Sequence, residues 1–345
     1  MSLSKKIIFS LFGATVVAGG LFWYFQIYQK QPLSITFLQP KKEKPKVVEV
    51  KKAVCPLDGL SVKEEVANRH PLAIMIENHI DARPQSGLSE ASLIYEAIAE
   101  GGITRFMALY VWGEPEKVGP VRSARTYDLD WLSEFNAFYA HVGGNYTALQ
   151  QIKQYGILDL DQFKYGTQAY WREPQAGKAT EHTMYTKPTK LWNIASKNKW
   201  DIKGSYESFE FKDDLEKSLR PVSASVTINF STSNYQVKWV YDPETNLYKR
   251  EQVKGPDVKA KNIIVEWMER SSTISAIGEK SWAMKTIGTG KAKIFMDGKV
   301  IEGTWKKESR TSRTWFYDTS GAKIKFNRGQ TWVEIVHPEL SVVVK

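Results

Sequence analysis

One cysteine, Cys55, occurs among the 345 residues, so no intramolecular disulfide can form and a stapled scaffold is excluded. The chain also lacks a Walker A loop, a G-x-S-x-G elbow and an H-E-x-x-H helix, which removes the motif-based readings as a nucleotide-cradling protein, a serine hydrolase or a zinc protease. His141 and His182 have no ligand partners at a recognised spacing, so neither a metal nor a cofactor is expected. Basic charge is scarcer in the body than the total suggests. Residues 1–52 carry nine Lys against two Glu, so +7 of the net +10 lies there and +3 remains for the rest. A near-neutral body without an aromatic-basic or helix-turn-helix signature gives no nucleic-acid partner. Cys55 follows Lys51 and Lys52, too far past the apolar N-terminal run to carry a lipid, and reads as a structural thiol.

What is present begins with that run. Ile7 to Tyr28 is twenty-two residues without a charged side chain, matching the roughly 20 that a helix needs to cross a bilayer. Phe22, Trp23, Tyr24, Phe25 and Tyr28 form an interfacial aromatic belt, and no small-residue cleavage site follows. Residues 1–28 are therefore expected to be a short N-terminal tip and an uncleaved single-pass transmembrane helix, the chain's contact with the membrane. Residues 29–54 are a Lys/Pro-rich linker bearing Pro32, Pro40 and Pro45. Lysines flank the run on both sides, and charge alone does not orient it.

Beyond the linker the pattern predicts an α/β (or α+β) domain with a mixed sheet over 55–218, then a smaller β-rich domain over 219–345. Leu72 to Glu77, Arg105 to Trp112, Val118 to Arg122 and Ala137 to Val142 read as strands. Ser89 to Glu100, Thr126 to Phe135, Thr147 to Tyr155 and Pro188 to Lys199 read as helices. After Leu219 the apolar period falls to two, with strands from Ser225 to Phe230, Gln236 to Tyr241, Tyr248 to Gln252, Ile263 to Trp267, Lys291 to Phe295, Lys299 to Thr304, Thr314 to Tyr317 and Thr331 to Val336. Asp297-Gly298 is placed in a tight turn, and Trp305, Trp315 and Trp332 in the core.

The densest polar stretch, Glu77-Asn78-His79 with Arg83 and Gln85, follows the first strand directly, where open α/β sheets hold ligands. Arg105 and the segment Arg122-Ser123-Ala124-Arg125 add guanidinium groups suited to phosphate or carboxylate. His141 with Gly143 and Gly144 marks a turn at which backbone can approach a ligand, and His182 follows a candidate lid over Trp171 to Thr180. Glu96 and Glu100, four apart on the expected helix, share a face near its C-terminal end, where the dipole disfavours anions. They are either paired with Arg105, Arg122 and Arg125 or poised as acids, with His182 as a further catalytic candidate.

Cys55-Pro56-Leu57-Asp58-Gly59, Ile76-Glu77-Asn78, Ala82 to Leu88, Glu100 to Arg105, Val118 to Arg125 and His141 to Gly144 together form a layout that resembles the YerB family of bacterial envelope lipoproteins. Gly290-Lys291-Ala292, Asp297-Gly298-Lys299, Gly303-Thr304-Trp305 and Gly329-Gln330-Thr331-Trp332 extend the resemblance through the tail. It implies an exported protein on the outer face of the cytoplasmic membrane of Gram-positive-type bacteria, with an uncleaved helix where relatives carry a lipidated cysteine. It implies no particular reaction. The order of arginines is also similar to the LytR-CpsA-Psr phosphotransferases.

The resulting expectation is an envelope protein whose pocket of Asn78, Arg83, Gln85, Arg105, Arg122, Ser123, Arg125, His141, Gly143 and Gly144 holds a cell-wall polymer or lipid-linked precursor. One alternative is a wall hydrolase or transferase using Glu96 and Glu100. Another is a non-catalytic partner of an envelope protein complex.

Overall fold

The computed structural model describes residues 18–24, 26–27 and 51–345. The chain separates into two compact units at Glu49/Val50. In the first, residues 18–24 and 26–27 are helical, and most of the expected anchor and linker lies outside the described residues. Among the described residues no helix is long and apolar enough to cross a membrane.

Two large sheets, beside four two-stranded ones, build the described part of the second unit. The larger contains β1 (Leu72–Glu77), β2 (Leu93–Ile98), β3 (Thr104–Tyr110), β4 (Phe138–Ala140), β9 (Asn262–Trp267), β10 (Gly288–Met296), β11 (Lys299–Lys307), β12 (Trp315–Asp318) and β13 (Thr331–Val336). The smaller contains β5 (Ser225–Asn229), β6 (Gln236–Asp242), β7 (Leu247–Glu251), β8 (Lys259–Ala260) and β14 (Val342–Val344). Nine strands follow the order β12-β11-β10-β9-β13-β2-β3-β1-β4, and five follow β8-β7-β6-β5-β14. The larger sheet is mixed, as expected: β13 runs parallel to both β2 and β9, whereas β2-β3 and β3-β1 are antiparallel. It passes without interruption across the expected boundary at 218/219, because β2 pairs with β13 from Thr331↔Leu93 to Glu334↔Glu96.

The period-two pattern sorts side chains between two faces. Leu72, Ile74 and Ile76 of β1 join Ile94, Phe106, Val226, Trp239 and Trp332 in one core, under the five-stranded sheet. Ala73 and Met75 join Tyr95, Met107, Trp131 and Ile152 in the other, under helices α1 (Thr126–Ser133) and α2 (Tyr146–Gln154). A third helix, α3 (Pro188–Lys197), starts on the proline expected at a first helical turn and buries Leu191, Trp192 and Ile194. Trp305 and Trp332 are core residues, whereas Trp315 is only half-buried. Asp297 (φ 56) and Gly298 (φ 70) turn the β10-β11 hairpin, the left-handed pair a two-residue loop requires.

Two expected elements are absent. Ser89 to Glu100 is not a helix: a short turn at Leu88–Glu90 leads into β2, buried at every position. Its Leu-Ile-Tyr-Glu-Ala-Ile run serves a central strand flanked on both sides, and there alternation vanishes and the periodicity stops discriminating. Val118 to Arg122 makes only isolated bridges at Val118, Gly119 and Val121, since Pro120 has no N–H to extend a ladder.

Cys55 lies in the core behind a small hairpin of Lys52–Val54 on Ser61–Lys63. Burial, with the Asp58 charge, pushes its thiol up to about 12, so it is inert. Asp58 fastens this loop, accepting hydrogen bonds from Ser92 (2.6 Å) and the Trp112 indole (2.7 Å).

Candidate functional site

At the end of β1 the pleat sends consecutive polar residues to different partners, and two clusters result. Asn78 is the node of the inner one. It donates to Glu96 Oε1 (3.1 Å) and Thr104 Oγ1 (2.7 Å), and accepts from Arg83 Nε (2.9 Å) and Gln85 Nε2 (2.8 Å). Arg83 spends its remaining donors on the carbonyls of Asn78, Asn234 and Val253, tying the turn after β1 to the segments flanking β6 and β7. Burial draws it below the usual guanidinium value. Glu96 accepts from Arg250 Nη2 at 2.6 Å, and both side chains are fully enclosed. Its cross-strand neighbour Glu334 is pushed well above the usual carboxylate range by burial and by the Glu96 charge.

Glu77 anchors the outer cluster. Only 5 % of its side chain is exposed, yet it pairs with Arg122, which is 28 % exposed. Arg122 Nε donates to Oε1 at 3.0 Å, and His182 Nδ1 lies 2.8 Å from Oε2. His79 stacks on His182 with ring centroids 4.8 Å apart and planes 7° from parallel. His79 Nδ1 accepts the Asp81 amide N–H at 3.2 Å. Beyond Nε, the Arg122 side chain has no hydrogen-bonding partner among the described residues, so both of its Nη groups are uncommitted, although its charge also reaches the exposed Glu181 carboxylate.

The remaining expected site residues fall between these clusters or behind them. Arg125 chelates Glu100 with two 2.5 Å bonds. Burial pushes the Glu100 carboxyl up, but the Arg125 fork and the Arg105 charge outweigh it and hold the group below its ordinary range. Arg105 donates to the Ser123 carbonyl at 2.9 Å. His141 is fully buried, its ring nitrogens 3.0 Å from Asp159 Oδ1 and 2.7 Å from the Gly143 carbonyl. Gly143 takes a left-handed φ of 55°, and a Cβ at Gly144 would lie 3.0 Å from that of Ala124, so both glycines serve the packing of two loops.

The four arginines expected in one crevice thus have separate anchors, and Glu96 and Glu100 do not share a helical face. Sequence reasoning passed over the pairing of Glu77 with His182 and the part played by His79. The only signal was the polar run after β1. The segment from Trp171 to Thr180 starts within strand Tyr170–Arg172 and leads toward its partner Met184–Thr186, and His182, in the turn between the two strands, meets Glu77. The grooves elsewhere include one of about 580 Å³ lined by Glu134, Tyr206, Arg313 and Trp315.

Two models of one family, described as a protein of unknown function (DUF3048), match the chain: the N-terminal domain over residues 57–201 and the C-terminal domain over 226–333. YerB of Bacillus subtilis (strain 168), a lipoprotein by name, is 30% identical over 302 residues, covering 84% of this chain and 88% of the relative. The chain belongs to the YerB-like family. A crystal structure of YerB from Bacillus subtilis aligns with TM-score 0.73 and 29% identity, covering 85% of this chain and all of that one. In this YerB-like fold the polar run after β1 falls within the N-terminal match, whereas Arg250, the partner of Glu96, falls within the C-terminal one.

Proposed function

We propose that the protein is tethered to the outer face of the cytoplasmic membrane and captures an anionic envelope ligand, a peptidoglycan fragment or a lipid-linked phosphate, at Arg122. One observation carries the reading: a half-buried guanidinium pinned through Nε by a buried carboxylate, its two Nη groups uncommitted. Such a group is pre-oriented, so little rotamer entropy is lost when it forks onto an oxyanion. Arg83, Asn78 and Gln85 support the turn from behind and do not line the site.

The location follows the relative named as a lipoprotein. The anchor differs: the one cysteine of this sequence is buried at position 55, which leaves the apolar stretch Ile7 to Tyr28 as the tether. Binding is favoured over the enzyme alternative because Glu96 is enclosed against Arg250 and Glu100 is chelated by Arg125. The test is retention of the full chain, in detergent, on wall sacculi and on vesicles carrying a polyprenyl diphosphate. Arg122→Ala is expected to lose retention by at least about tenfold, the worth of one charge-assisted hydrogen bond. Undiminished retention on both supports would overturn the reading.

A further inference from the structure

We infer a divalent transition-metal site at His79, Asp81 and His182, with Glu77 behind it. Each of the three side chains offers a donor atom within 4.8 Å of the other two. Glu77 supplies what such a site needs from outside the coordination sphere. Its carboxylate accepts, so the hydrogen in the 2.8 Å contact belongs to His182 Nδ1, and in the neutral tautomer that a metal would require the lone pair is on Nε2. Carboxylate-to-imidazole pairing of this kind fixes the tautomer of metal-binding histidines and raises their basicity.

The geometry also states what must move. Two imidazoles only 7° from parallel cannot both aim an in-plane lone pair at one ion. His182, with 9 % of its side chain exposed and held by Glu77, is the fixed ligand. His79 is 30 % exposed and sits on a single turn, Ile80–Ala82, where one amide N–H contact must be given up for the ring to rotate. Asp81, 58 % exposed and 3.6 Å from His79 Nδ1, contributes the oxygen. Two imidazoles and one carboxylate suit zinc or cobalt, with an open position for water or an exogenous ligand. Calcium and magnesium, which prefer oxygen donors, fit poorly. Sequence spacing conceals the set, because His79 and Asp81 stand only two positions apart and His182 arrives from the hairpin beyond residue 170.

The experiment titrates Co²⁺ into the full chain, stripped by chelator and held in detergent micelles, and follows the visible d–d bands. No anion is present, so the result is separate from capture at Arg122. Wild type is expected to take up one Co²⁺ with the intensity of a low-coordinate site and to release it to Zn²⁺. His79→Ala and His182→Ala are each expected to abolish the bands, and Glu77→Gln to weaken binding about 10- to 100-fold. Should His182→Ala fail to fold by circular dichroism, His79→Ala and Glu77→Gln decide. Absence of the bands in wild type, or wild-type affinity in His79→Ala, would overturn the inference.

Discussion

Glu77 and Asn78 are neighbours in sequence, yet the clusters they head have opposite characters. Behind Asn78, Arg83 and Arg250 are enclosed, and their donors go to the Glu96 carboxylate, two amide oxygens and backbone carbonyls, with Arg250 Nε left unpaired among the described residues. Behind Glu77, Arg122 uses one nitrogen for anchorage and leaves two without a hydrogen-bond partner among those residues. The same residue type is mortar in one place and an open hand in the other. Composition cannot tell them apart, because the deciding quantity is how many donors the fold has already claimed.

The comparison is broken most severely by Arg250→Ala. It strands Glu96 as a buried, unpaired carboxylate, and a loss of about 3–5 kcal/mol is expected in denaturant unfolding, with little loss predicted if the interior were wet. Arg83→Ala follows at about 2–3 kcal/mol, because several buried acceptors lose their donor together. It is expected to weaken ligand retention only through instability, so stabilising conditions should restore it. Loss of retention without loss of stability would instead place Arg83 beside Arg122.

A pH experiment sharpens the same contrast. Burial, with the Glu134 charge, pushes Glu266 up to about 8. Between the ordinary carboxylate value and that pH the folded chain holds a proton that the unfolded chain has released, so stability falls as pH rises. The slope is about 1.4 kcal/mol per pH unit for this group. Unfolding curves from pH 5 to pH 8 should flatten in Glu266→Gln, and an unchanged slope would mean that Glu266 is ionised inside. The smallest effect on stability, about 1 kcal/mol, is expected for Arg122→Ala, because Glu77 retains His182. There the measurable loss is in ligand retention.

Much of the fold was legible. Leu72 to Glu77 and Thr331 to Val336 match β1 and β13 residue for residue, and the Asp297-Gly298 turn is where its dipeptide predicts. Strand β2 was misread because its uniform burial erases the alternation that identifies a strand, and the error carried Glu96 and Glu100 onto a helix face that does not exist. Position after a strand end was readable for Glu77 and Asn78. Their partners were not, since Arg250 lies 154 residues from Glu96 and His182 lies 105 from Glu77. Contacts over such separations are set by sheet order, which local pattern does not encode.

That sheet order has a consequence for biogenesis. The inner edge of β2, six apolar-flanked residues from Leu93 to Ile98, stays unpaired until Thr331 and its successors are made. A product truncated near residue 218 would present that edge as a template for aggregation. Protection of that edge therefore waits on the docking of the penultimate strand.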